Sequence, residues 1–307
     1  GQQYGQEGSG IRPVTPDEFS IPGAFILSDG AGGNRFPIKA AADSNGSETP
    51  LTQDEVRQLL ETAHQTMSAA RGQIRRPLNQ SARVSMVIVD TTGEILGLVI
   101  GSDAPIFGLD VAVQKARTAT FFSSKSAASY LVGLNRDEIS DYVQRVRVFL
   151  NDPLALTGQH AFSDRAGGNL SRPYFPDGEL GRPHGPLSRP ITEWSPFATG
   201  LQESLVRPEL VKHLGFVDGV SEDPGANECV GLSNEGNDIH LLENGIQIFP
   251  GSVPIYRGST LIGGIGVSGD GVDQDDMIAF LSVHLAGEAS GTFGNAPKEI
   301  RADTIEV

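Results

Sequence analysis

The stretch Ser252-Val253-Pro254-Ile255-Tyr256-Arg257-Gly258-Ser259-Thr260-Leu261-Ile262-Gly263-Gly264-Ile265-Gly266-Val267 decides the fold. Val253 to Arg257 is predicted as a strand, Arg257-Gly258-Ser259-Thr260 as a hairpin turn, and Leu261 to Val267 as a second strand. A dinucleotide-binding fingerprint needs its glycines between a strand and a helix of a parallel βαβ unit. Here they fall inside a strand, where glycine permits another backbone to approach closely. The acids that follow (Asp270, Asp273, Asp275, Asp276) repel phosphate and suit the N-terminus of a last helix, Gln274 to Leu285. That helix is given Met277, Ile278, Leu281 and Leu285 as its inner face. Just upstream, Ile246 to Phe249 is a further candidate strand and Pro250-Gly251-Ser252 a turn.

The first half of the chain supplies the matching elements. Thr52-Gln53-Asp54-Glu55 fits a capping box, and Val56, Leu59, Leu60, Ala63, Met67 and Ala70 then recur on one helical face. Arg83 to Val89 and Glu94 to Ile100 read as a hairpin around Asp90-Thr91-Thr92-Gly93. A helix over Leu109 to Phe122 follows, with Ala112, Ala116 and Ala119 small enough to sit close to a sheet. The order helix, two strands, helix, long excursion, two or three strands, helix predicts an α+β fold with a mainly antiparallel sheet. Neither half has enough strands to bury its helices alone, so both are expected in one domain.

The excursion, residues 124–245, carries a candidate helix at Glu138 to Leu150, a proline-rich loop over Asn151 to Pro196, and a helix over Leu201 to Leu214 interrupted by Pro208. Residues 1–50 are polar and rich in turn formers, a tail without a core of its own. Such a tail is ordered only against the body of the domain or a neighbouring subunit. Residues 288–307 form the other tail, in which Ile300, Ala302 and Thr304 alternate as a strand would. A strand at a chain end invites pairing with another sheet edge, which points to a homo-oligomer or larger complex.

The net charge of −15 would repel a phosphate backbone and argues against nucleic acid. No stretch reaches the roughly 18 apolar residues of a membrane span. One cysteine, Cys229, excludes an intrachain disulfide and a zinc ribbon. A start at Gly1 in a polar run suggests a processed, exported N-terminus.

Leu51-Thr52 opening a helix, Val87-Ile88-Val89-Asp90 with Gly93, and Lys115-Ala116-Arg117-Thr118-Ala119 resemble the first half of the GlcG/HbpS-like family. Phe249-Pro250-Gly251-Ser252-Val253-Pro254-Ile255 and Ile262 to Gly269, followed by Gln274-Asp275, resemble its second half. The resemblance covers about 51–123 and 246–287. It implies a profilin-like fold, an antiparallel sheet flanked by helices. It also implies haem or another tetrapyrrole as the candidate cofactor, an oligomer, and a periplasmic or extracellular location. The long insertion and both tails depart from compact members, and Ala161-Phe162-Ser163-Asp164-Arg165 with Gly185-Pro186-Leu187 resembles a long-insert subgroup.

Candidate cofactor-binding residues follow from these motifs and from haem chemistry. Lys115, in the family motif, suits pairing with a propionate; its alternative is a salt-bridged helix residue. Phe121, Pro250 and Tyr256 stand in or beside the matched stretches. Gly264 and Gly266 are either ligand-facing backbone or the seat of a packed helix. Among the histidines, the natural axial ligands, His160 and His184 lie on insertion loops able to close over a pocket, whereas His64 and His284 lie on core helices. Asp43-Ser44-Asn45-Gly46-Ser47-Glu48 is read as a turn rather than a calcium loop. No Ser/His/Asp set, metal-ligand spacing or local pair of carboxylates is readable, so no catalytic residue is named and the expectation leans away from an enzyme. Two functions remain: a binding protein for haem or a comparable flat ligand, or a non-catalytic structural subunit of an extracytoplasmic assembly.

Overall fold

The computed structural model describes residues 3–43, 49–223 and 240–306. Cys229 and most of the turn at 43–48 lie outside these residues. A six-stranded sheet is built from β1 (Ile11–Pro13), β2 (Ala24–Leu27), β3 (Ser85–Val89), β4 (Ile95–Gly101), β5 (Ser252–Arg257) and β6 (Thr260–Ser268). Its order is β1-β2-β4-β3-β6-β5, and every neighbouring pair is antiparallel. Helices α1 (Gln53–Ala69) and α7 (Val272–Ser290) cover one face, and α2 (Gly108–Ser123) covers the other. This is the α+β, helix-flanked antiparallel sheet that the pattern predicted.

The central strand shows why both faces are covered. Met86 and Ile88 pack with Val56, Leu60, Ile278 and Val283 of α1 and α7, while Val87 and Val89 pack with Ala112, Val113 and Ala116 of α2. A strand buried on both faces is apolar at every position rather than alternating, as Ser85–Val89 nearly is. The capping box of α1 forms as expected, with Thr52 Oγ1 accepting from Glu55 N and the Glu55 carboxylate accepting from Thr52 N. On α7 the inner face is turned from the expected one. Ile278, Ala279, Ser282, Val283 and Ala286 are buried and Leu285 is exposed.

The N-terminal residues lie on their own domain. Ala24 and Phe25 pair with Gly101 and Ile100, and Phe19, Ala24 and Ile26 enter the α1-side core. The C-terminal alternation does not make a strand. Lys298–Ile300 and Ala302–Thr304 are single 3-10 turns, joined to the body by a bridge between Arg301 and Ala161. Ile246 to Phe249 is not a strand either. Gln247 N donates to Thr118 Oγ1 and Ile246 O accepts from Gln202 Nε2, so side chains take the ladder's place.

The insertion adds α3 (Ala127–Gly133), α4 (Asp137–Phe149), α5 (Asp164–Leu170) and α6 (Leu201–Val217). They share a core rooted in Phe121 and Phe122 at the end of α2. Pro208 does not interrupt α6. It cannot donate to Ser204 O one turn back, and Arg136 Nη2 fills that acceptor instead. Among the described residues no helix is long and apolar enough to cross a membrane.

The closest contact between layers is α2 on β6. A Cβ at Gly266 would stand 1.9 Å from Ala112 O and 2.6 Å from Ala116 N, and one at Gly264 would stand 2.3 Å from Thr120 Oγ1 and 2.9 Å from Ala116 O. The obstacles at Gly266 are backbone atoms, which cannot swing aside. Gly266→Val is therefore expected to destabilise by about 1–3 kcal/mol or more through overpacking, read as a lower Tm. An unchanged melt would mean that α2 does not rest on this strand.

Candidate functional site

The proposed family motif builds a buried polar junction rather than a pocket. Lys115, on the sheet side of α2, is 2% exposed, and its Nζ donates to Val267 O and Asp275 Oδ2, both at 3.0 Å. Asp275, in the first turn of α7, also accepts from Gly269 N and Asp270 N. Burial pushes its carboxyl above the usual value, and Lys115 opposes that rise. Two residues on, Arg117 points elsewhere, donating to Gly93 O and Asn244 Oδ1 and pairing with Glu243 at 2.9 Å.

Asp164 completes the junction from the insertion. Ser163 caps α5, its Oγ accepting from Ala166 N. This places Asp164 under the start of β5, where Oδ1 accepts from Gly251 N at 3.2 Å and Ser252 N at 3.0 Å. Burial pushes the Asp164 carboxyl up to about 8; nearby Lys115 opposes the rise and Asp276 adds to it. The protonated acid still accepts both N–H groups, so the insertion is latched to the core by a neutral group.

Other candidates are dispersed. Phe121 is 1% exposed and sits in the insertion core, edge-on to Phe122 and Tyr130. Pro250 is buried in the turn before β5. Tyr256 is buried with Ala161, Leu261 and Ala296, and burial pushes its phenol up to about 12. Gly264 and Gly266 lie beneath α2 with no room for a ligand. His160 Nε2 is 3.0 Å from Asp152 Oδ2. His184 lies with Arg145, Val148 and Pro186 in a separate depression of about 380 Å³, and burial lowers its pKa, as does Arg145. His64 is buried on α1, while His284 is exposed on α7 near Glu288.

A cavity of about 610 Å³ lies between the end of α4, α5, β5, α7 and the C-terminal segment. None of the candidate residues lines it; His160 comes nearest in sequence, next to Ala161 and Phe162. Its walls carry Phe149, Phe162, Phe175, Phe280, Val253 and Met277, with Phe149 and Phe175 packed edge to face at 5.0 Å. Two arginines reach it. Arg165 is held by Asp276 at 2.7 Å and Asp273 at 2.8 Å. Arg301 donates through Nε to Ala296 O at 2.8 Å, and its Nη atoms have no hydrogen bond or ion pair among the described residues. Asn295 Oδ1, in the same wall, is buried without a donor. This site was missed in the sequence; of its lining, Phe280 is an aromatic on α7 that lies outside the inner face expected there and is 39% exposed.

The family model described as "Haem degrading protein HbpS-like" matches residues 221–283, which include β5, β6 and the first turns of α7. Over those residues the chain is similar to that family. Among solved structures it is similar to one of a PduOC:heme complex, at 15% identity over 81% of this chain and all of that one, with a TM-score of 0.34. It is also similar to Klebsiella pneumoniae protein ORFY, of the family model DUF336, at 14% identity over 79% of this chain and 94% of that one, again with a TM-score of 0.34. No curated protein matches the chain.

The Asp164 latch has a definite pH signature. Unfolded, the carboxyl ionises near its ordinary value of 3.8, while in the folded protein it keeps its proton to about 8. The folded state therefore binds more protons between these values, and this group's contribution to stability falls as pH rises through that window. Asp164→Asn keeps the acceptor and removes the titration. Melts at about pH 5 and about pH 8 are expected to show the variant gaining on the parent at the higher pH; parallel profiles would disprove the buried neutral acid.

Proposed function

We propose that the protein is an extracytoplasmic binding protein for haem or a related flat tetrapyrrole, held in the 610 Å³ cavity. The cavity carries the reading. It has the size and largely apolar lining of a small-molecule site, with aromatic walls and a cation, Arg301, that has no counter-ion among the described residues. The fit to a porphyrin follows from the lining: Phe162, Phe280 and Val253 would supply apolar contact, and Met277 brings a thioether, a known class of haem-iron ligand. The HbpS-like match supports the same ligand class. The extracytoplasmic location is proposed from the resemblance, which includes secreted members.

A second reading is a structural subunit of an oligomeric assembly. The outer half of α6 supports it, because Leu210, Val211, Leu214 and Val217 are all exposed there. A helix apolar on so many sides is ordinarily covered.

Titration with haemin, followed in the Soret region, tests the first reading. Saturable one-to-one binding is expected, and Ala166→Trp, which pushes an indole into the cavity, should weaken it by about tenfold or more. Absence of binding, together with a stable oligomer by light scattering, would favour the subunit.

A further inference from the structure

The wall of the cavity that comes from the C-terminus differs from the others in how it is held. Ala296, Arg301, Ala302, Asp303 and Ile305 line the cavity. The segment from Lys298 onward makes two 3-10 turns that bury no residue. Its backbone meets the body through Ala161 N donating to Ile300 O at 2.7 Å and Ala302 N donating to Ala161 O at 2.9 Å. Thr304 hydrogen-bonds only within the segment, to Lys298 O and Arg301 O. Among the described residues, no charged side chain of 298–306 makes an ion pair. So few fastenings put the segment at the low-stability end of the molecule, where local opening is easiest.

Arg301 sits in the middle of this segment. Its Cζ lies 5.8 Å from the centroid of the Phe280 ring, and Nε is used on Ala296 O. The two Nη groups are left over at an apolar wall. Arg165, across the cavity, already has carboxylates on Nε and Nη2. A half-buried guanidinium without a counter-ion has lost hydration that nothing replaces, and a planar fork of this kind matches a carboxylate.

We propose that Arg301 reads a carboxylate on the bound ligand, and that the segment carrying it, residues 296–305, is a strap which that carboxylate fastens over the cavity. This rests on the cavity being the ligand site. The ligand class narrows to flat apolar molecules bearing an acid group at their edge. Binding and closure are then one event, since the contact that recognises the ligand's charge also supplies the ion pair that the strap lacks.

Haemin and its dimethyl ester, which lacks the acid groups, separate the alternatives without any mutation. The full chain is expected to bind haemin about tenfold more tightly than the ester. Arg301→Gln should lose that preference with an unchanged melt, and Arg301→Lys should keep part of it. Trypsin reads the strap directly, because Lys298 is exposed on it; haemin should slow cleavage there and the ester should not. Equal binding of haemin and ester, or a full preference retained in Arg301→Gln, overturns the role of Arg301 while leaving the cavity as the site. Failure of the parent protein to bind either compound removes both.

Discussion

Backbone-to-backbone contact between α2 and β6 sets the spacing of the whole molecule. Ala112 O and Ala116 N occupy the space where a side chain at Gly266 would stand, and Ala116 O and Thr120 Oγ1 do the same at Gly264. With α2 seated this low, the long Lys115 side chain reaches past the strand to Val267 O and to Asp275 on α7. A helix on one face of the sheet is thereby tied to the start of the helix on the other. The same seating delivers Phe121 and Phe122 to the base of the insertion, whose core grows from them. A bulkier strand would lift α2, pull Lys115 from its partner and unroot the insertion together.

The insertion is tied back by Asp164. Burying an ionised carboxylate there would be costly, and the protein avoids it by keeping the group protonated beside Lys115. The latch fixes α5 against the first residues of β5, and α5 then stands opposite α7 with room between them. That room is the cavity. Its position follows from the latch, since Ser163, Arg165 and Ala166, immediately flanking Asp164, face the opening.

The elements that were legible in the sequence are those set by local pattern. The capping box at Thr52, the near-continuous apolar run Ser85–Val89 and the in-strand glycines each specify their structure within a few residues. The cavity was not legible, because Phe149, Phe162, Val253, Phe280 and Arg301 come from segments far apart in the chain and share no spacing. For Lys115, Gly264 and Gly266 the sequence left a ligand-facing and a packing role side by side, and the structure takes the packing one, since they record how α2 sits on the sheet. The alternation at Ile300, Ala302 and Thr304 misled for a related reason. A period of two over so few residues specifies a strand only where an edge is free to pair.

That edge is not free, and the cavity depends on it. The outward N–H of Ser252 goes to Asp164, and that of Tyr256 goes to Gly294 O at 2.9 Å. Between them stands Pro254, which has no N–H to offer. Every outward donor of β5 is thus satisfied or missing, so a seventh strand has nothing to grow on, and the edge is also protected against pairing with another molecule. The chain leaving Gly294 must turn away, and it does so in the short turns that carry Arg301. Val253 and Pro254 are left facing a space that no strand fills. The constraint that blunts the sheet edge is therefore the one that opens the cavity beside it.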